Sequence, residues 1–214
     1  KKILQIKKNN FFFLIIMNCP FNYKDCKKKN QKMFANLGAL PRVDVLLSKK
    51  DLKKKILLKP LKAYFCKKCF LVQHPVYTNP KDIFIDDYIY YSSTVKSWVE
   101  HCKVFVKKSI KRFFLTKSSF IVEVASNDGY LLQHFVKRKI PCLGVEPSSG
   151  VINEAKKKGV ETINDFYNYI SVKKIVKNYS KADLIIANNV LAHIPNLKEF
   201  ILSSNLLLKE NGVI

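Results

Sequence analysis

Short apolar runs alternate with amphipathic stretches through the second half of the chain. The apolar runs predict buried strands at 119–125, 141–146, 160–163 and 182–187, with a further strand opening at Val213. The amphipathic stretches predict helices at 129–138, 149–158, 165–177 and 197–209. Strands that alternate with helices imply an α/β fold with a mostly parallel, doubly wound sheet.

The pattern before this half is less regular. Apolar residues at helical spacing, with lysines on the other face, predict a helix over 94–114 that bridges to the α/β half. Gly38 and Pro41 punctuate the stretch 37–41 and predict a turn. The run 71–73 predicts a short strand.

The first predicted strand of the α/β half ends in a turn of small and polar residues, 126–129, before a helix predicted to begin at Tyr130. A strand, such a turn and a helix N-terminus offer N–H groups and a positive dipole end to a ligand. The turn is not G-x-G-x-x-G, because Ala125 holds the early small position and Gly129 is its only glycine. A site that grips a pyrophosphate is therefore disfavoured.

Polar residues also follow the neighbouring strands. Glu146 ends the second strand, where a carboxylate can accept both hydroxyls of a ribose, as an adenosine-bearing cofactor requires. Asn188 and Asn189 follow the strand at 182–187 and can bind a carboxylate or an ammonium group. His193 is either a base or a residue at the start of a helix. In open parallel sheets ligands bind beyond these strand ends.

The cysteine pattern predicts a metal site. Cys66 and Cys69 form a C-x2-C knuckle, whose thiolates can grip one Zn²⁺. Cys19 and Cys26 are the upstream candidates, with His74 in reserve; Tyr23 stands where C-x2-C spacing would need the partner of Cys26. The alternative is a pair of unligated buried thiols.

The N-terminal sequence and the net charge indicate in which compartment the protein works and which partners it binds. The basic stretch 1–10 and the apolar run 11–17 lack a cleavage site, and the run is too short to span a bilayer, so we expect a cytoplasmic protein, no membrane partner and no disulfides. The net charge is +23, but the basic residues are almost all lysine and spread along the chain. This favours an anionic small substrate over nucleic acid, which is usually read by arginine.

The stretch 86–93 is dense in tyrosine. Its composition favours a half-buried loop or strand whose tyrosines pack on a neighbour. The functional alternative is a wall whose phenol hydroxyls bind sugar-like oxygens.

Taken in order, the motifs resemble one family. Val122 to Leu132 (VEVASNDGYLL), Gly144 to Pro147 (GVEP) and Ala182 to Ile194 (ADLIIANNVLAHI) are similar to the S-adenosylmethionine-dependent C-methyltransferases of deoxysugar biosynthesis. The N-terminal part is similar too, with a cysteine-bearing zinc module, an L-G-x-x-P stretch, and the motif Y-x-Y-x-S-S at 88–93 followed by Ser97-Trp98. The resemblance covers about 17–214.

The resemblance implies a Rossmann-like methyltransferase sheet over 94–214 and a zinc-binding and substrate module over 17–93. Met17 is the more natural start, which makes 1–16 an upstream extension. It implies S-adenosylmethionine and zinc as cofactors. The cofactor-binding positions would be Glu123, Ala125, Ser126, Asn127, Gly129, Glu146, Asn164, Asn188 and Asn189. The metal ligands would be Cys19, Cys26, Cys66 and Cys69, and the sugar would face Tyr88, Tyr90 and Tyr91.

The reaction implied is methyl transfer to C3 of a nucleotide-linked 4-keto-deoxysugar. In the family a Glu-His pair that supplies the base follows the strand that opens here at Gly212-Val213-Ile214. We therefore assign no catalytic residue and expect the base beyond Ile214, so that the sheet is incomplete and this stretch inactive by itself. Two alternatives stay open. One is a methyltransferase of another small substrate, and the other is a zinc-bearing, basic nucleic-acid-binding module.

Overall fold

The structure is a computed structural model that describes residues 26, 30–41, 47–75, 78–84 and 88–214. The predictions on Cys19, Tyr23 and the first 17 residues lie outside this part of the chain. The described residues form two compact units. One unit contains those of 1–41 and 58–77, and the other contains those of 42–57 and 78–214, so the predicted domain boundary at 93–94 falls inside the second unit.

The first unit contains a three-stranded antiparallel sheet of β1 (Gln31–Pro41), β2 (Leu58–Cys66) and β3 (Val72–Gln73), in that order. The strand predicted at 71–73 is thus confirmed. The turn predicted at 37–41 is wrong, because β1 runs through it. Its register slips between Asn36 and Ala39, and Gly38 takes up the slip at a φ of +79°. Gly38 therefore marks a bulge, where a left-handed backbone favours glycine.

In the second unit a 3-10 helix (Asp51–Lys53) comes first in the described sequence, and two α-helices follow it. Helix α1 (Pro80–Ile83) is capped by Asn79, whose side chain accepts the N–H of Lys81. Helix α2 (Lys96–Arg112) confirms the helix predicted at 94–114, and it buries Cys102, Val106 and Ser109. A single-turn 3-10 helix at 92–94 precedes it.

A five-stranded parallel sheet forms the centre of the second unit. Its strands are β4 (Ile121–Val124), β5 (Cys142–Glu146), β6 (Thr162–Asn164), β7 (Ala182–Ile186) and β8 (Leu208–Val213). Their spatial order is β6-β5-β4-β7-β8, with every neighbouring pair parallel. This confirms the predicted α/β class. The chain leaves β4 towards β6 and returns beside β4 at β7, so the topological switch point lies between β4 and β7.

The remaining helices are α3 (Gln133–Val136), α4 (Ser149–Lys157), α5 (Tyr169–Asn178) and α6 (Leu197–Leu207). Helix α3 is far shorter than the predicted 129–138, because the N–H groups of Phe135 and Arg138 bond three residues back instead of four. The helix-dipole argument for the turn therefore fails.

The last strand of the sheet begins earlier in the structure than the sequence predicts. Helix α6 ends at Leu207, and β8 begins at once, five residues before the predicted start at Val213. The reason is that Asn211-Gly212 does not end the helix as predicted: both residues lie within β8.

Both faces of the parallel sheet are buried. Ile121 packs in one apolar cluster with Val106 of α2 and Phe135 of α3. The next residue, Val122, packs in the other cluster with residues of α5 and α6. Since side chains alternate along a strand, Glu123 points to the same side as Ile121. Among the described residues, no helix combines the length and the apolar character needed to cross a membrane.

Candidate functional site

The turn after β4 has an unusual backbone. Ala125, Asn127 and Gly129 all have positive φ angles, of 53°, 50° and 72°. Glycine enters this left-handed region freely, asparagine tolerates it and alanine does so at some cost. Every second residue of the turn therefore has the left-handed backbone that is usual for a glycine-rich loop, although only one of the three is glycine. A search for a glycine motif does not detect such a loop. The only signal in the sequence is a small residue and an asparagine at alternate positions.

Gly129 and Gly144 allow the turn after β4 to pack closely against α4 and β5. A Cβ atom at Gly129 would lie 3.0 Å from Cγ2 of Val160 and 3.2 Å from Cα of Ala155 in α4. A Cβ atom at Gly144 in β5 would lie 2.2 Å from Oγ of Ser126. The Ser126 side chain is fully buried and lies against β5, so it would offer a cofactor mainly its backbone.

This contact yields a stability prediction. Gly144→Ala should lower the free energy of unfolding by about 1–3 kcal/mol, because the added methyl group would overlap the Ser126 side chain. Chemical denaturation followed by the fluorescence of Trp98, the only tryptophan, measures this. Adding Ser126→Gly should recover part of the loss, since Oγ and Cβ of Ser126 are the two nearest atoms. Additive losses in the double variant would contradict this interpretation.

Glu146 lies where the sequence predicts a ribose site, at the carboxyl end of β5. Its Oε2 accepts the N–H of Asn127 at 3.0 Å, and its Oε1 accepts the N–H of Ser148 at 3.0 Å. Burial raises the pKa of the carboxyl group, while these N–H groups act in the opposite direction. A carboxylate accepts about four hydrogen bonds, so Glu146 retains capacity for ligand hydroxyls. The amide nitrogen of Asn164 donates to the carbonyl oxygens of Glu146 and Pro147, at 3.1 and 2.8 Å.

Around Glu146, buried polar atoms near the carboxyl ends of β4 and β5 lack a hydrogen-bond partner among the described residues. They are both carboxyl oxygens of Glu123, Oδ1 of Asp128 and Oγ of Ser148. An unpartnered buried polar atom costs free energy that a polar ligand can recover. These residues therefore fit a polar ligand such as the predicted cofactor.

Glu123 is the residue of this set with two unpartnered oxygens. It is fully buried in β4, and neither oxygen makes a hydrogen bond of good geometry, although the Tyr130 hydroxyl lies beside it. Burial raises the pKa of this carboxyl group well above its ordinary value, and the nearby carboxyl groups of Glu146 and Asp128 add to the rise.

The asparagines after β7 reach the same edge of the sheet, because β7 is the parallel neighbour of β4. Asn188 is half-buried, whereas Asn189 is exposed with a φ of +56°. His193 is exposed in a 3-10 helix at 191–193. The two asparagines therefore stay candidates for the amino-acid end of a cofactor, and His193 has no contact that marks it as a base.

Residues 88–93, the tyrosine segment, lie against the turn after β4. The side-chain amide of Asn127 donates to the carbonyl oxygen of Tyr90 at 3.0 Å, and its Oδ1 accepts the N–H of Ser92 at 2.9 Å. The Tyr90 side chain is 54% exposed, and the ring of Tyr88 stacks edge-on against Phe84 with centroids 5.5 Å apart. The structure thus joins the predicted substrate-binding and cofactor-binding residues through backbone contacts that composition did not reveal.

Three of the four predicted metal ligands, Cys26, Cys66 and Cys69, are described and lie in the first unit. The Sγ atoms of Cys26, Cys66 and Cys69 lie within 4.8 Å of one another, and those of Cys26 and Cys66 are 3.8 Å apart. Hydrogen bonds from the backbone of Cys69 and Lys68 and from the neighbouring thiols lower the pKa of Cys66 to about 7. Three thiols in this arrangement fit a tetrahedral Zn²⁺ with one position left for a fourth ligand. His74 is not part of the group.

Comparison with known proteins finds two family matches along the chain. Residues 24–84 match a family described as "Putative zinc binding domain", and residues 122–214 match one described as "Methyltransferase domain". The order of these matches, a methyltransferase domain behind a zinc-binding one, confirms the predicted resemblance to the S-adenosylmethionine-dependent sugar C-methyltransferases. The matches and the cysteine group support S-adenosylmethionine and zinc as its cofactors.

A curated relative is C-methyltransferase NovU of Streptomyces niveus, 28% identical over 178 residues. The match covers 83% of this chain and 42% of that protein, so the chain spans less than half the length of this relative. Two solved structures also align. DesVI of Streptomyces venezuelae is 17% identical, with 56% of this chain and 50% of that chain covered and a TM-score of 0.44. A methyltransferase of Clostridium acetobutylicum is 18% identical, with 53% and 48% covered and a TM-score of 0.42.

Proposed function

We propose that the protein is an S-adenosylmethionine-dependent C-methyltransferase that acts on a nucleotide-linked keto-deoxysugar. The observation that carries the proposal is the set of unpartnered buried polar atoms around Glu146, at the sheet edge where parallel α/β proteins bind ligands. The motif series and the name of the relative NovU support the reaction class.

The chain's own residues would hold the cofactor in three places. Glu146 would accept the ribose hydroxyls, Asn164 would lie near the adenine, and Asn188 and Asn189 would flank the amino-acid end. The left-handed turn at 125–129 would offer its backbone to the methionine side. S-adenosylmethionine, when bound, supplies an electrophilic methyl group.

The acceptor would lie against the tyrosine segment. Tyr88, Tyr90 and Tyr91 would bind sugar oxygens, and the net charge of +23 would attract a diphosphate-bearing substrate. A ketone acidifies the proton on the neighbouring carbon, so the site needs a base and tight alignment, with no covalent nucleophile. The residues that would remove this proton are not assigned within this chain.

The cofactor half of the proposal is testable by calorimetry. Saturable binding of S-adenosylhomocysteine is expected for the wild type, and Glu146→Ala should weaken it at least about 100-fold, because a charge-assisted bidentate contact would be lost. Glu154→Ala is the matched control, since Glu154 is a glutamate on α4 that is paired on the surface with Lys157.

A wild type that binds no S-adenosylhomocysteine would refute the proposal, and so would a folded Glu146→Ala variant with unchanged affinity. Circular dichroism of the variant separates loss of binding from loss of fold. The acceptor class needs a second assay, in which methyl transfer to nucleotide-linked keto-sugars is compared with transfer to other small acceptors. Binding to DNA or RNA with a steep salt dependence would favour the nucleic-acid alternative.

A further inference from the structure

Lys158 forms hydrogen bonds both to the turn after β4 and to the tyrosine segment. Its ammonium group lies 2.6 Å from the backbone oxygen of Asp128, 3.1 Å from Oδ2 of Asp128 and 3.1 Å from Oγ of Ser93. These three contacts match the three donors of an ammonium group. Lys158 follows directly after α4, the helix whose Ala155 packs against Gly129.

Asp128 is the acceptor at the centre of the link. Its side chain is 1% exposed, and its Oδ2 also accepts the N–H and the hydroxyl of Ser93, the N–H at 3.2 Å. A buried carboxylate is tolerated only when it is paired and hydrogen-bonded, and Lys158 supplies its cation. Loss of Lys158 would therefore weaken the hold of Asp128 on Ser93.

Asn127 joins the same link to the proposed ribose site. Its side chain bonds the backbone of Tyr90 and Ser92, while its N–H donates to Glu146. A ligand that reorients Glu146 therefore acts on the residue that holds the tyrosine segment. The contacts span 35 to 37 residues of sequence, so they are tertiary contacts that a local turn would not make.

We propose that Lys158 is a positioning residue that fastens the tyrosine segment to the cofactor turn, so that binding of the cofactor orders the face that receives the sugar. This inference rests on the proposed function, since it needs a cofactor at Glu146. It predicts that the two binding events are coupled through residues 90–93 and 127–128.

Hydrogen exchange followed by mass spectrometry tests the coupling in the whole chain, with and without saturating S-adenosylhomocysteine. In the wild type, peptides that contain the N–H groups of Ser92 and Ser93 should gain protection on addition of the ligand. In Lys158→Met these N–H groups should exchange about tenfold faster without ligand and should lose the ligand-induced gain. Lys156→Met is the matched control, because Lys156 is an exposed lysine in the last turn of α4, two residues before Lys158.

The exchange of β7 separates positioning from general stability. Peptides of β7 should be unchanged in Lys158→Met, and a loss of protection there equal to that at 92–93 would show a merely structural role. A variant that binds S-adenosylhomocysteine and protects residues 92–93 as the wild type does would overturn the inference alone. A wild type that binds no S-adenosylhomocysteine would instead refute the proposed function, and the coupling with it.

Discussion

Replacing Cys66 by serine is expected to lower the zinc content from about one ion per chain to none and to unfold the sheet of β1 to β3. Cys66 is fully buried and central to the group, with the Sγ atoms of Cys26 and Cys69 beside its own. Among the described residues, the buried core of this unit consists of the cysteines themselves. Many of its other apolar side chains are exposed, including Met33, Phe34, Leu37 and Phe70.

The physical reason is the size of the core. A small unit with little buried apolar surface gains its stability from a bound metal, and structural zinc sites supply roughly 10–16 kcal/mol of apparent binding free energy. The loss of one thiolate should therefore remove more free energy than the sheet can replace. A chelator added to the wild type should have the same effect.

Elemental analysis gives the zinc content, and hydrogen exchange of β1 and β2 gives the state of the sheet. Cys142→Ser is the matched control, since Cys142 lies in β5 of the other unit and outside the cysteine group. Cys19→Ser then tests the predicted fourth ligand: a lower affinity for zinc would assign it, and no change would point to another donor. A Cys66→Ser protein that keeps zinc and a protected sheet would contradict the metal site.

Periodicity predicted the centre of the parallel sheet because β4, β5 and β7 are short, mostly apolar runs bounded by polar turns. It missed the start of β8, whose sequence LKENGV is mostly polar. It failed where hydrogen bonding departs from the regular pattern. The segment 129–138 has helical apolar spacing, yet bonds to the third residue back replace much of the helix. At 37–41 glycine and proline indicate a turn, but the same glycine also suits a bulge within β1.

The candidate site shows the same limit. Glu146 and the asparagines after β7 could be placed from sequence, because the end of a parallel strand is a defined position in the fold. The link of Lys158 to Asp128 and Ser93 could not, since it joins residues 30 and 65 positions apart. Ser126 lay in the predicted site, but its side chain packs under the turn because Gly144 leaves room there.

A second large effect is expected at Glu123. A carboxyl group whose pKa is raised by burial keeps its proton in the folded protein while the unfolded chain ionises. Above a pH of about 4.5 the unfolded state is therefore favoured progressively, by up to about 1.4 kcal/mol per pH unit, until the pH passes the pKa of the folded protein. Glu123→Gln, which keeps the shape and cannot ionise, should remove this slope and stabilise the protein at pH 7 and above.

Urea denaturation at a series of pH values upwards from about 4.5 measures the slope. Trp98 is the probe because its ring stacks on Tyr130, with centroids 6.1 Å apart. Glu146→Gln should remove a separate contribution, since burial raises the pKa of that carboxyl group too. Glu154→Gln serves as the control, because a glutamate in a surface ion pair should leave the slope unchanged. Equal pH dependence in the wild type and Glu123→Gln would mean that Glu123 is ionised in the fold, and a buried cation or water would then have to accompany it.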